Sequence, residues 1–225
     1  MSIADKLTQI AENEQAVFNA GKESERDRFW DAFQDNGNRV LYNYAFRFQG
    51  WTAANFRPKY SMRPTAANGM FRDSHISADL GAILSECGVT LDFSDCAGME
   101  QVFYNTYFTA LPEIDLSGAI ATSAFDYSGR LVTISNVIVS ETTHFGAYKC
   151  VSLENITITG TIANSLGIAE SPLTKASIES IIGALSGTVT GKTLSIKATA
   201  KQAAFTDSEW AELIGTKPNW TFSLV

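Results

Sequence analysis

The sequence predicts an α/β solenoid: a right-handed succession of about six units that share one parallel β-sheet, preceded by an N-terminal α-helix. Three observations predict this fold. Apolar residues recur with a fixed spacing, the units are about 20–24 residues long, and each unit offers one short strand. A unit of this length cannot bury its apolar face alone, so stacked units would share a continuous core.

The fixed spacing is clearest in two segments that lie 42 residues apart (145 − 103). In both segments the apolar positions fall at offsets of 0, 8, 11 and 13 residues. The offsets predict that each unit places equivalent residues in the same layer, and that these residues are largely buried. They are Phe103, Leu111, Ile114 and Leu116 in the first segment, and Phe145, Leu153, Ile156 and Ile158 in the second.

An N-terminal helix is predicted within residues 1–38. Ser2 and Asp5 resemble a capping box, apolar residues follow at helical spacing, and the sequence DNGN at 35–38 ends the pattern. We expect residues 26–34 to cap the first unit. We expect residues 2–20 to project and to mediate homo-oligomerisation or docking.

A linking strand or hairpin is predicted for residues 39–69, and the stacked units are predicted for residues 70–225. Helices are expected at 77–87 and within 171–187. A β-sandwich remains the alternative, although Asn-Gly and Asp-Gly hairpin signals are missing between the strands. The segments expected to be neighbours in one parallel sheet, in chain order, are 91–93, 114–116, 137–139, 156–158, 194–196 and 221–224.

The composition excludes several classes of protein. Apolar residues make up 45% and charged residues 18% of the chain, as in globular proteins. The net charge of −7 and the lack of a basic run disfavour nucleic-acid binding. Three cysteines, Cys87, Cys96 and Cys150, form no CxxC pair, so neither a disulfide framework nor a zinc site is indicated.

The N-terminal residues lack the pattern of a signal peptide, and no apolar run approaches the ~20 residues of a membrane span. We therefore expect a cytoplasmic or virion-associated protein, with surface exposure only by a non-classical route. No cofactor is expected, because the glycines are scattered rather than grouped in a phosphate-binding loop.

Two stretches, SAFDYSGRLVTI and HFGAYKCVSLENITITGTI, resemble the BspA-type (treponemal) leucine-rich repeat. Phe145, Cys150, Leu153, Ile156 and Ile158 fall on that family's pattern. The N-terminal segment also resembles short leader-less repeat proteins from prophages of gut Firmicutes. The resemblance implies a leucine-rich-repeat-like fold and a non-enzymatic role in adhesion, host contact or docking.

Candidate catalytic and metal-binding residues are few. His144 and Cys150 could form a nucleophilic pair, but Cys150 falls at a small, buried position of the repeat. His75 with Asp73 and Asp79 could hold a metal ion, but their spacing is irregular. A glycosidase pair among Glu100, Glu113 and Asp115 would need a cleft that sequence does not supply.

The candidate binding surface is an outward row on the predicted sheet. Strand side chains alternate, so residues between the inward positions point outwards. We expect such a row to bind a protein or cell-surface glycan, with the chain acting as a phage tail or cell-surface component. One alternative is that the row only solvates one face of the sheet. Another is that the chain is a structural assembly protein of a prophage particle. The row comprises Asp92, Asp115, Thr157, Ser195 and Thr221.

Overall fold

The computed structural model describes residues 45–47 and 51–225 of the chain. The helix predicted within residues 1–38, with its expected capping and oligomerisation roles, lies outside the described residues. Most of the linking segment 39–69 is described, and there Met62 makes an isolated parallel bridge with Leu91.

The described residues form four α-helices and six β-strands in a loosely α/β arrangement. In chain order they are α1 (Leu80–Cys87), β1 (Ala110–Asp115), β2 (Thr133–Val139), β3 (Asn155–Gly160), β4 (Leu166–Ile168), α2 (Lys175–Ala184), β5 (Lys192–Ile196), α3 (Ala198–Ala204), α4 (Asp207–Gly215) and β6 (Trp220–Leu224).

The six strands form two separate parallel sheets, in the orders β1-β2-β3 and β4-β5-β6, within the described part of the chain. The prediction of a leucine-rich-repeat-like solenoid with one parallel sheet is therefore wrong. Segment 91–93 also forms no strand and contributes only the bridge at Leu91. Every described strand pair is parallel, so the β-sandwich alternative gains no support either.

The first sheet ends at β3 because helix α2, rather than another strand, packs against β3. Ser177 Oγ accepts a hydrogen bond from the Ile156 N–H at 3.0 Å, and Ser180 Oγ accepts one from the Ile158 N–H at 2.9 Å. These hydroxyls satisfy strand-edge donors that a further strand would otherwise satisfy. The next strand, β4, therefore begins a second sheet.

The turns that precede the strands of the first sheet are also joined by main-chain hydrogen bonds. The Phe103 N–H donates to the Ala124 carbonyl oxygen at 2.8 Å, and the Phe125 N–H donates to the Gly146 carbonyl oxygen at 3.1 Å. These bonds place Phe103, Phe125 and Ala147 at equivalent positions. The rings of Phe71, Phe103 and Phe125 accordingly form a nearly parallel stack, with neighbouring centroids 5.4 and 5.9 Å apart.

Burial of the core residues expected from the fixed spacing is confirmed. Phe103 is fully buried, and Phe145 and Ile158 are only 5% and 8% exposed. Their expected equivalence is wrong, however, because sheet register pairs Leu111 with Ile134 and Ile134 with Ile156. Ala147, not Phe145, is the counterpart of Phe103, and Phe145 instead packs edge-on against Phe125.

No helix in residues 45–47 and 51–225 is both long enough and apolar enough to cross a membrane.

Candidate functional site

The residues of the expected outward row lie in three places. Asp115 and Thr157 belong to strands of the first sheet, Ser195 and Thr221 belong to strands of the second sheet, and Asp92 lies outside both sheets. Thr157 and Thr221 are exposed, whereas the other three are half-buried. The two sheets therefore divide the row, and binding by these residues stays a prediction.

Asp92 and Asp115 line one open cleft of about 430 Å³ between α1 and β1. Glu113 lies on the same wall, and apolar residues such as Leu84 and Phe93 contribute to the lining. The cleft takes its shape from α1, whose N-cap Asp79 accepts a hydrogen bond from the Ala82 N–H and whose C-cap is Gly88 in a left-handed conformation.

The carboxylates of this cleft already have partners within the chain. Asp92 accepts the Ser94 N–H at 2.9 Å and lies 3.4 Å from the Arg63 guanidinium. Hydrogen bonds from Ser94, assisted by the charge of Arg63, lower the pKa of the Asp92 carboxyl. Asp115 accepts the Ser117 N–H at 2.8 Å. Asp92 is therefore a fixed anion rather than a proton donor.

The suggested glycosidase pair is only partly assembled. Glu113 and Asp115 share the cleft, but Glu100 is not among the residues that line it. Glu113 accepts a hydrogen bond from Asn136 at 3.0 Å, and Asn136 in turn accepts one from Thr159 at 3.1 Å. These bonds form a polar network across the outward face of the first sheet.

The suggested nucleophilic pair has a neutral thiol. Cys150 is fully buried, and its Sγ donates to the Phe125 carbonyl oxygen at 3.0 Å. Burial raises the pKa of the Cys150 thiol to about 12, so the thiolate that a nucleophile needs is not formed at neutral pH. His144, by contrast, is exposed.

The suggested metal ligands each contact other groups of the protein. The His75 ring stacks on Tyr107 with centroids 4.6 Å apart, and Asp79 caps α1. Asp73 accepts a hydrogen bond from Asn105 at 2.9 Å and pairs with Arg72 at 3.3 Å. Across the described residues, no group of three or more His, Cys, Asp or Glu side chains could hold a metal ion.

The most distinctive surface lies on the turns, where successive turns bring three tyrosines together. We call Tyr104, Tyr127 and Tyr148 the tyrosine ridge. Ring centroids are 5.1 Å apart for Tyr104 and Tyr127, and 5.6 Å apart for Tyr127 and Tyr148. Tyr127 is 40% exposed and Tyr148 is 46% exposed. The three rings therefore support one another, with Tyr104 half-buried and the other two exposed.

Tyr127 is held in a conformation that bulky residues rarely adopt. Its φ is +63°, in the left-handed region, and its N–H donates to the Tyr148 carbonyl oxygen at 2.7 Å. Equivalent turns place Asn105 and Lys149 in the same region, with φ of +52° and +59°. Because the left-handed conformation recurs at equivalent positions, it is a regular feature of these turns. Here it places the Tyr127 ring between its two neighbours.

Two cations lie over the rings of the ridge, and one carboxylate, that of Asp126, lies beside them. The Lys149 ammonium lies 5.1 Å from the Tyr127 ring centroid and 5.4 Å from that of Tyr148. The Arg72 guanidinium lies 5.1 Å from the Tyr104 ring centroid. Asp126 is already bonded to the Tyr148 N–H at 2.8 Å. Among described residues, no ion pair joins Lys149 to a carboxylate.

The sequence analysis missed the ridge, although a signal was present. The tyrosines lie 23 residues (127 − 104) and 21 residues (148 − 127) apart, which matches the unit length. Because the spacing argument used apolar core positions alone, it did not track the polar aromatic residues that follow them.

Comparisons with protein-family models, with curated proteins and with solved structures found no match for this chain. The resemblance to the BspA-type repeat therefore stays a prediction.

Proposed function

We propose that this chain is a non-enzymatic recognition protein that binds a protein or cell-surface glycan through the tyrosine ridge. The observation that carries the proposal is the packing of three tyrosines on successive turns, of which Tyr127 and Tyr148 are exposed and Tyr104 is half-buried. Exposed aromatic residues that are held rigidly lose little conformational entropy on binding, and tyrosine is enriched at binding hot spots.

The neighbouring cations add to this surface. The Lys149 ammonium and the Arg72 guanidinium both lie over tyrosine ring faces. Arg72 is also paired with Asp73, whereas Lys149 forms no ion pair with a carboxylate among the described residues. Tyrosine and arginine are among the residues that contribute most to interface energy, and charged groups at the margin steer a partner of opposite sign.

A non-enzymatic role is supported by the state of the candidate catalytic groups. The Cys150 thiol is buried with a raised pKa, and the Asp92 carboxyl has a lowered pKa. Neither group has the activated state that nucleophilic or general-acid catalysis requires.

The test is a combined array of purified cell-surface proteins and glycans, probed with the wild-type chain and with a Tyr127→Gly/Tyr148→Ser double variant. Glycine suits the backbone at position 127, so the variant should keep its fold. We expect wild-type binding to at least one arrayed partner and at least about tenfold weaker binding by the double variant. Equal binding by the two proteins, or no binding by wild type, would contradict the proposal.

A further inference from the structure

We propose that strand β6 is a self-association surface, which pairs antiparallel with β6 of a second copy of this chain around a two-fold axis at Phe222. The inference does not depend on the tyrosine ridge or on the proposed function. Three features of β6 carry it: a free edge, the lack of edge protection and an order of residues that complements itself.

The outer edge of β6 is free within the described residues, because β6 is the last strand in the order β4-β5-β6. The Val225 N–H donates to the Ile196 carbonyl oxygen at 3.0 Å, so the main chain of Val225 faces β5. Alternate residues of a parallel strand face the same neighbour, so the main-chain groups of Phe222 and Leu224 point away from β5. The edge of β3, by contrast, is closed by two serine hydroxyls of α2.

Strand β6 also lacks the features that keep a free edge from pairing. Edge strands are commonly protected by a charged side chain, a proline or a β-bulge. The five residues of β6 include neither a charged residue nor a proline, and their register with β5 is continuous. Lys217, in the preceding turn, donates instead to the carbonyl oxygens of Gly183 and Leu185. A two-fold axis brings identical charges together, so an uncharged strand is suited to pair with itself.

The order of residues in β6 matches antiparallel self-pairing. With Phe222 opposite its own copy, Trp220 lies opposite Leu224, and apolar side chains meet on the face that is buried in β5. On the other face Thr221 lies opposite Ser223, and hydroxyl groups meet. Leu224 is 45% exposed in the single chain, and this pairing would cover it.

The main-chain geometry agrees with the same pairing. Because Phe222 directs its N–H and carbonyl groups outwards, two copies can exchange a pair of hydrogen bonds at the axis. On each side of the axis, the Leu224 N–H can donate to the Trp220 carbonyl oxygen of the other copy. The Trp220 N–H needs no further acceptor, because it donates to the Lys217 carbonyl oxygen at 3.1 Å. Pairing of two copies therefore satisfies the groups that the free edge exposes.

The experiment measures the mass of the whole chain by sedimentation velocity over about a hundredfold range of protein concentration. Thr221→Lys/Ser223→Lys places like charges opposite each other in the pair, whereas Thr221→Lys/Ser223→Glu places opposite charges there. Thr193→Lys/Ser195→Lys is the charge-matched control, because these residues lie beside Thr221 and Ser223 on β5, away from the free edge. Circular dichroism verifies the fold of each variant. If the lysine–lysine variant does not fold, Thr221→Glu/Ser223→Glu replaces it.

We expect wild type to shift from monomer to dimer as its concentration rises. The dissociation constant of the dimer should rise at least about tenfold in the lysine–lysine variant and should return to the wild-type value or below in the lysine–glutamate variant. The β5 control should dimerise as wild type does. A wild-type chain that stays monomeric or assembles beyond a dimer would overturn the inference, and so would a lysine–glutamate variant that dimerises no better than the lysine–lysine variant.

Discussion

Phe103 lies at the centre of the aromatic core. Its ring is fully buried and contacts the rings of Phe71, Phe93, Phe108 and Phe125. We expect Phe103→Ala to lower the free energy of unfolding by about 3–5 kcal/mol, because it removes buried ring area and leaves a cavity. Urea denaturation followed by circular dichroism measures this change.

Phe145→Ala is the comparison for that measurement. Phe145 is also buried, but its one described ring contact is an edge-on contact with Phe125. We expect the Phe145→Ala variant to lose less stability than the Phe103→Ala variant. A larger loss of stability in Phe145→Ala would contradict the more central position of Phe103 in the core.

The strain at Tyr127 can be isolated by a glycine–alanine pair. Both Tyr127→Gly and Tyr127→Ala remove the ring, but only glycine adopts a φ of +63° without steric cost. We expect the glycine variant to be more stable than the alanine variant by about 1 kcal/mol in urea denaturation. If alanine proves the more stable of the two, the left-handed conformation at this position is wrong.

Burial of individual residues could be predicted from the sequence, but their register could not. The spacing identified Leu111 and Ile156 as buried, because apolar side chains in a strand occupy the inward positions. It paired the wrong residues because the turn-to-strand distance varies. That distance is eight residues from Phe103 to Leu111 but nine residues from Phe125 to Ile134.

Among the elements, helix α2 has a specific role beside β3. Ser177 is buried, accepts the Ile156 N–H at 3.0 Å and donates to the Glu154 carbonyl oxygen at 3.0 Å. We expect Ser177→Val to cost about 1–3 kcal/mol, because it leaves the buried Ile156 N–H without its acceptor. Thermal and urea unfolding measure the loss.

Hydrogen exchange supplies a local readout for the same variant. The Ile156 amide should exchange faster in Ser177→Val, since its acceptor has been removed. The amide of Ile134, in β2 of the same sheet, serves as the internal reference. Unchanged exchange at Ile156 would mean that the serine is not its acceptor.

Helix α4 should make stability depend on pH at its N-terminus. The hydrogen bond from Lys175, at 2.8 Å, and those from Thr206 lower the pKa of Glu209 from 4.5 to about 2. A lowered folded-state pKa means that the stabilisation is complete above about pH 4.5 and is lost as the pH falls towards about 2.

The corresponding variant is Glu209→Gln, with Glu212→Gln on the same helix as its control. Acid titration of the melting temperature should show a smaller decline below pH 4.5 for Glu209→Gln than for wild type or the control. Identical acid profiles for all three proteins would exclude Glu209 as a source of the pH dependence.

Element prediction succeeded where local signals were strong. The strand segment expected at 221–224 lies within β6 (Trp220–Leu224), and the helix expected at 77–87 contains α1 (Leu80–Cys87). The short strand β4 (Leu166–Ile168) was missed, because three residues are too few to establish an alternating pattern. The local pattern around 171–187 indicated a helix, but not that this helix would replace a strand beside β3.

At the scale of the whole molecule, the division into two sheets decides which surface can act as one site. The expected outward row is shared between the sheets, whereas Tyr104, Tyr127 and Tyr148 come from successive hydrogen-bonded turns. The pairing of strands that are far apart in the sequence depends on whether a helix or a strand packs at each sheet edge. The spacing of apolar residues does not encode this choice. The structure therefore revealed the ridge, although the spacing of its tyrosines already matched the unit length.

The most direct test of the central claim is nuclear magnetic resonance mapping of the whole chain titrated with a partner that binds it on the array of cell-surface proteins and glycans. We expect the largest shifts in the ring resonances of Tyr127 and Tyr148 and in the amide of Lys149. Shifts concentrated instead at Asp92, Asp115 and Thr157 would place binding on the outward row, and would contradict recognition by the tyrosine ridge.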